Sequence, residues 1–260
     1  MRWKTERAGS AAAALRLARI RGETVNILAV DTATPVLSIA FSDGRSTWYF
    51  EADAGNRHSE IIIDTIDTLL SAASIQSKDV DMVACMKGPG SFTGLRIGYS
   101  VAKGLCLPFG IALATAGTLD CMAYFRRDWG GYVIPAVDAR KHAYFTALFE
   151  NGRRLTPDMD AGAARIADCI IEKRERAAAP EPHVLITGTD AALLYEELVP
   201  RVPAETLQLD ICCAGTRRKG YAKELLALAP HHIEQTLSGP EYIRKSDAEI
   251  GAGPRIPCAH

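Results

Sequence analysis

The 260-residue sequence predicts an α/β protein built from two copies of one lobe, each a mixed sheet flanked by helices. Three observations predict it. A buried-strand signature closing on Ala-Val-Asp occurs twice, at Ala29-Val30-Asp31 and at Ala136-Val137-Asp138. Each copy is followed by a β-rich run and a turn dipeptide: Asp43-Gly44 stands 12 residues after Asp31, and Asn151-Gly152 follows 13 residues after Asp138. Each hairpin then leads through a helix to another short apolar run, the order of a duplicated unit.

Taken in order, residues 26–31 read as a buried strand ending on a carboxylate, and residues 36–41 and 47–51 as a hairpin about Asp43-Gly44. Ile62, Ile66, Leu69, Leu70 and Ala73 recur at helical spacing, with Asn56 as the expected N-cap. Residues 80–86 form a second buried strand, which Lys87-Gly88-Pro89-Gly90 turns into a helix starting at Ser91 or Thr93. The second copy runs through strands at 132–138 and 143–149, a helix at 161–174 and a charged, Pro-rich loop at 175–182. It closes with a strand at 184–187 and helices at 191–198 and 215–228. The expected division is an extension over 1–24, lobes over 25–110 and 111–245, and a frayed tail over 246–260.

Nearly half of the residues are hydrophobic, enough for a substantial core. A formal net charge of -1 excludes the global basic field of a stand-alone nucleic-acid binder, so any nucleic-acid contact is local or shared. Seven cysteines without a Cys-x-x-Cys pair point to a reducing, cytoplasmic setting and to small buried hydrophobes. No apolar run approaches the roughly 18 residues of a membrane span. Arg2, Lys4, Arg7, Arg16, Arg19 and Arg21 make the extension Arg-rich, which is compatible with a tail, an early start codon or a transit peptide.

Two strand ends carry candidate chemistry. Asp31-Thr32-Ala33-Thr34 places a carboxylate and hydroxyls beside exposed amides, as a Mg²⁺-phosphate loop does; the alternative is a turn closed by its own side chains. Asp138, with Arg140 beside it, is the matching group of the second copy. The segment from Gly88 to Gly98 is not a Walker A loop, because five residues separate Gly88 from Gly94 and Leu95-Arg96 stand where Lys-Ser or Lys-Thr is needed. Its glycines suit either an anion at a helix start or close packing, and Gly94, Gly98 and Ala102 form a small-residue stripe that favours packing.

His58 has no second ligand at metal spacing, His-x-x-x-His occurs nowhere, and the adjacent His231 and His232 cannot share one helix face. Arg217-Arg218-Lys219 and Arg153-Arg154 are local basic clusters, which are solvated faces or RNA contacts.

Five segments in order carry a family resemblance: ILAVDTA at 27–33, RHSE at 57–60, GPGSFTGLRIG at 88–98, AVDAR at 136–140 and PEYIR at 240–244. Over residues 25–245 the chain resembles the TsaB (YeaZ) family. The resemblance implies a duplicated actin-like ATPase fold, of the sugar-kinase and Hsp70-like kind, that has lost catalysis. It implies a partner subunit that activates its paralogue TsaD, which installs threonylcarbamoyl on the adenosine beside the anticodon of tRNAs reading codons that begin with A. The implied partners are TsaD, a TsaE-type ATPase, tRNA through the complex, and a second copy of the chain. No cofactor is required by the chain alone, with ATP or ADP and Mg²⁺ expected at the complex interface. Asp31, Thr32, Asp138 and Gly188 are the expected degenerate nucleotide cleft, Thr187-Gly188-Thr189 standing where catalytic relatives carry a Gly-Gly step. His58, Ile62, Ile66, Gly94, Gly98 and Ala102 are the expected partner interface. The alternative reading is a small ATP-dependent kinase of the same fold; a metalloprotease fails for want of ligands.

Overall fold

Alternation within the strands at 27–31, 82–88 and 112–117 sorts bulk to one face of a sheet and alanine to the other. The computed structural model describes residues 24–176, 183–202, 209–211, 219–233 and 239–240. The first sheet has the order β3-β2-β1-β4-β5, from β1 (Ile27–Asp31), β2 (Val36–Ser42), β3 (Thr47–Asp53), β4 (Met82–Gly88) and β5 (Ala112–Gly117). β1 runs parallel to β4, and β4 to β5, while the β1-β2-β3 meander is antiparallel.

Leu28, Val30, Val83, Cys85 and Leu113 point to one side, where α1 (His58–Ala72) and α2 (Phe92–Phe109) cover them. Ala29, Ala84, Ala112, Ala114 and Ala116 point to the other. On this small-residue face lie α3 (Thr118–Tyr124) and α6 (Ala222–Leu228), which join a core that also holds Val133, Val137 and Leu185 of the second lobe. The two lobes therefore share a core across the alanine face.

The second sheet repeats the first strand for strand. Its order is β10-β7-β6-β11-β12, from β6 (Tyr132–Asp138), β7 (Tyr144–Thr146), β10 (Met159–Ala161), β11 (Val184–Thr187) and β12 (Leu209–Ile211). The parallel pairs β6-β11 and β11-β12 and the antiparallel pairs β6-β7 and β7-β10 match their counterparts in the first lobe. α4 (Ala163–Arg176) and α5 (Ala191–Leu198) stand where α1 and α2 stand. The insertion β8 (Phe149–Glu150) and β9 (Arg153–Arg154) is closed by Asn151 and Gly152, both at positive φ, the signature of a type I′ hairpin.

Several expectations change. β5 completes the first sheet, so the boundary between sheets lies beyond Gly117 rather than at 110, and α6 returns from the second half of the chain to pack on β1 and β2. The run at 143–149 breaks into two short strands. α1 begins at His58 behind Arg57, with no side-chain cap, so Asn56 does not cap it. Ser91 does cap α2, its hydroxyl accepting the Gly94 N–H, and Gly110 ends that helix in the left-handed region. The last helix starts at Ala222 rather than 215. The extension over 1–23, the loop over 177–182, Arg217, Arg218, the end of PEYIR and the tail lie outside the described residues. Among the described residues no helix is long and apolar enough to cross a membrane.

Candidate functional site

A cleft of about 770 Å³ opens where the β1-β2 turn, the start of α1 and the start of α2 face the end of β6 and the start of α5. Its walls carry Thr34, His58, Ser91, Asp138, Arg140 and Asp190.

The first-lobe wall is stitched together internally. Thr32 Oγ1 donates to the Gly94 carbonyl at 2.8 Å, and Ser91 N–H donates to the Ala33 carbonyl at 2.7 Å. A Cβ at Gly94 would collide with the Thr32 carbonyl oxygen, and one at Gly98 would lie 2.5 Å from Thr32 Oγ1. The glycines are required because α2 approaches the end of β1 at backbone distance. Gly94, Gly98 and Ala102 are buried within their own lobe, and His58, Ile62 and Ile66 are buried on the inner face of α1. These six residues are therefore not an exposed partner surface. An amphipathic helix first spends its apolar face on its own sheet.

Asp31 is also turned inward. Its carboxylate accepts N–H groups from Ala33 at 3.0 Å and Tyr221 at 2.9 Å, and it does not line the cleft. Burial pushes its pKa up to about 6, partly offset by those two N–H groups and by Lys219. Gly188, at φ 104°, is a glycine because a Cβ there would sit 2.5 Å from the Ala136 carbonyl oxygen; it too lies off the cleft wall. Of the expected nucleotide residues, only Asp138 faces the cleft.

Asp190 is the residue that sequence reading missed. It is buried, and its Oδ2 accepts the Asp138 N–H at 2.9 Å and the Thr189 hydroxyl at 3.1 Å. An aspartate at the start of a helix reads as an N-cap, and nothing in the sequence shows that it instead holds the end of β6. Asp138 Oδ1 accepts the Arg140 N–H at 2.7 Å, leading into a turn in which Arg140, Lys141 and His142 all have positive φ. Three successive non-glycine residues in that region store strain at the cleft mouth. His58 is 5% exposed and contributes to the cleft wall. Its Nε2 has no hydrogen-bond partner among the described residues, and burial lowers its pKa, favouring the neutral imidazole.

Residues 52–252 match the family model described as TsaD: tRNA N6-adenosine threonylcarbamoyltransferase. The chain is 30% identical to the tRNA threonylcarbamoyladenosine biosynthesis protein TsaB of Bacillus subtilis over 233 residues, which cover 86% of this chain and 96% of that relative. The chain belongs to the TsaB family. It is also 34% identical to the TsaB of Escherichia coli over 134 residues, 49% of this chain, a match that spans only 58% of that relative.

Two structures from Pseudomonas aeruginosa share the fold. One, described as an uncharacterized protein with similarity to peptidase YEAZ, has a TM-score of 0.66 at 23% identity, covering 85% of this chain and all of that one. The other, YeaZ, has a TM-score of 0.59 at 24% identity, covering 78% and 90%. With its two sheets of identical strand order, this TsaB-family chain has the duplicated actin-like fold.

In this TsaB-family chain the carboxylates at and behind the cleft are engaged with backbone N–H groups. Asp31 is committed to two backbone N–H groups, and Asp138 and Asp190 each anchor neighbouring backbone. Among the described residues no three His, Cys, Asp or Glu side chains gather as a metal site.

Proposed function

We propose that this chain is the non-catalytic partner subunit of a TsaD-type transferase that places threonylcarbamoyl on the adenosine beside the anticodon of tRNAs reading codons that begin with A. A TsaE-type ATPase completes the assembly, and ATP or ADP with Mg²⁺ is held where the subunits meet. The observation that carries this reading is the fate of Asp31: the β1 carboxylate, in the position where a catalytic member would present it to Mg²⁺-phosphate, is buried against the amides of Ala33 and Tyr221. A family member so arranged serves its pathway through contact rather than turnover. Contact falls to the outer faces of α1 and α2, where Ile63, Leu107 and Phe109 are each about half exposed. The same faces suit a second copy of the chain when the transferase is absent.

Reconstitution of tRNA modification from purified TsaD-type and TsaE-type subunits, with and without this chain, tests the proposal. Modification is expected only when the chain is added. Full activity without it, or ATP turnover by the chain alone that is lost in Asp31→Ala, overturns the reading.

A further inference from the structure

In a chain with a formal net charge of -1, five cations outside the lining of the cleft come from three neighbouring elements. Arg126 and Arg127 follow the end of α3, Arg153 lies on β9, and Lys219 and Lys223 flank the start of α6. Contacts tie them together through aromatic rings. Arg126 lies 4.5 Å and Lys219 Nζ 4.2 Å from the centre of the Phe125 ring. Lys219 also reaches Tyr221, and Arg127 covers Tyr124 at 4.5 Å. Lys223 covers Tyr49 at 4.2 Å, and the Tyr49 hydroxyl hydrogen-bonds the Gly220 carbonyl. The Arg127 Cβ stands 3.4 Å from where a Cβ on Gly152 would lie, which brings in the hairpin bearing Arg153.

Folding does not account for all of these charges. Arg154 is held by Asp120 and Asp158, and Lys219 by Glu224. Arg126, Arg127, Arg153 and Lys223 form no ion pair with a described residue, although Asp128 and Glu150 are neighbours in sequence. The end of α3 favours cations near it, which suits Arg126 and Arg127. Lys223, however, is the second residue of α6, where the helix macrodipole disfavours a cation. Arg126 Nε is buried with no hydrogen-bond partner among the described residues, so any phosphate contact by this side chain falls to its terminal N–H groups.

We infer that the surface formed by Arg126, Arg127, Arg153, Lys219 and Lys223 binds the phosphate backbone of RNA, giving the TsaB-family subunit its own contact with the tRNA. This deepens the proposed function and rests on it for the choice of RNA. Guanidinium groups pinned on aromatic rings are pre-oriented, with N–H groups left for phosphate oxygens, and several cations spaced over three elements match a polyanion better than a small ligand.

The test measures fluorescein-labelled tRNA binding by anisotropy, using the full chain alone and in complex with the TsaD-type subunit. The exposed residues are changed together, Arg127→Glu, Arg153→Glu and Lys223→Glu, beside a charge-matched control at Lys78→Glu, Arg165→Glu and Arg201→Glu. Circular dichroism and co-elution with the partner are followed in parallel. The first variant should weaken tRNA binding at least about ten-fold and flatten the slope of log affinity against log salt by about two, whereas the control should change little. Equal losses in both variants, an unchanged salt slope, loss of partner co-elution with tRNA affinity intact, or competition by polyglutamate as effective as by tRNA each overturn the inference. If the wild-type chain binds no TsaD-type subunit, the proposed function fails, and anisotropy with the free chain still judges the surface.

Discussion

The carboxylate of Asp31 accepts the backbone N–H of Tyr221 at 2.9 Å, joining residues 190 positions apart. This bond fastens α6 to the end of β1, together with the Ser38 hydroxyl accepting the Ala222 N–H at 3.1 Å and Glu51 accepting the Gly220 N–H at 2.9 Å. The last described α-helix is thus part of the first lobe's structure.

A pH dependence follows from that burial. The Asp31 pKa is raised from 3.8 to about 6 in the folded chain, so between these values the folded state keeps a proton that the unfolded state has lost. The Asp31 contribution to stability is therefore greatest below 3.8 and declines as pH rises through about 6. The decline is on the order of 3 kcal/mol. Urea midpoints of wild type and Asp31→Asn, compared across this range, isolate it, because every other carboxyl titrates in both proteins. A difference between the two that stays flat or grows with pH contradicts the assignment.

The glycines of α2 should respond oppositely to one added methyl. Gly94→Ala pushes against the Thr32 carbonyl and should cost about 1 to 3 kcal/mol, and Gly98→Arg should leave no folded protein. Gly104 is exposed in the same helix with nothing within 4 Å of a Cβ, so Gly104→Ala should stabilise by about 0.5 to 1 kcal/mol. Thermal melts of the three variants decide the matter. Equal tolerance at Gly94 and Gly104 would show that α2 does not press on β1.

If the outer helix faces dock the partner, Ile63→Glu and Leu107→Glu should lower co-purification with the TsaD-type subunit by ten-fold or more while leaving the urea midpoint nearly unchanged, since both side chains are about half exposed. Unfolding of either variant would place its side chain in the core, and undiminished co-purification would remove these faces from the interface.

Cys85, Cys106 and Cys121 are buried, and burial pushes Cys106 up to about 12. Alkylation of the native chain near pH 8, read by peptide mass spectrometry, should leave all three unmodified until denaturant is added. Rapid labelling of any of them would reveal local opening of the strand or helix that carries it.

The sequence by itself determined the strands β1–β4, β6 and β11, the duplication and the family, whereas β5, β10 and β12 emerge only in the structure. Leu28, Val30, Val83 and Cys85 alternate with alanines because strand periodicity is local, and the paired Ala-Val-Asp ends occupy equivalent places in sheets of identical order. Direction was another matter. The apolar residues of α1 and the small residues of α2 were legible as faces, but whether a face meets its own sheet or a partner depends on what the chain brings opposite it, and here it brings β2 and Thr32. Asp31 and Asp138 look equivalent in sequence, yet one is sealed by an amide 190 residues away and the other opens on the cleft beside Asp190. The tertiary structure alone decided these roles, because a carboxylate's chemistry is set by the donors that surround it, and those donors came from distant segments of the chain.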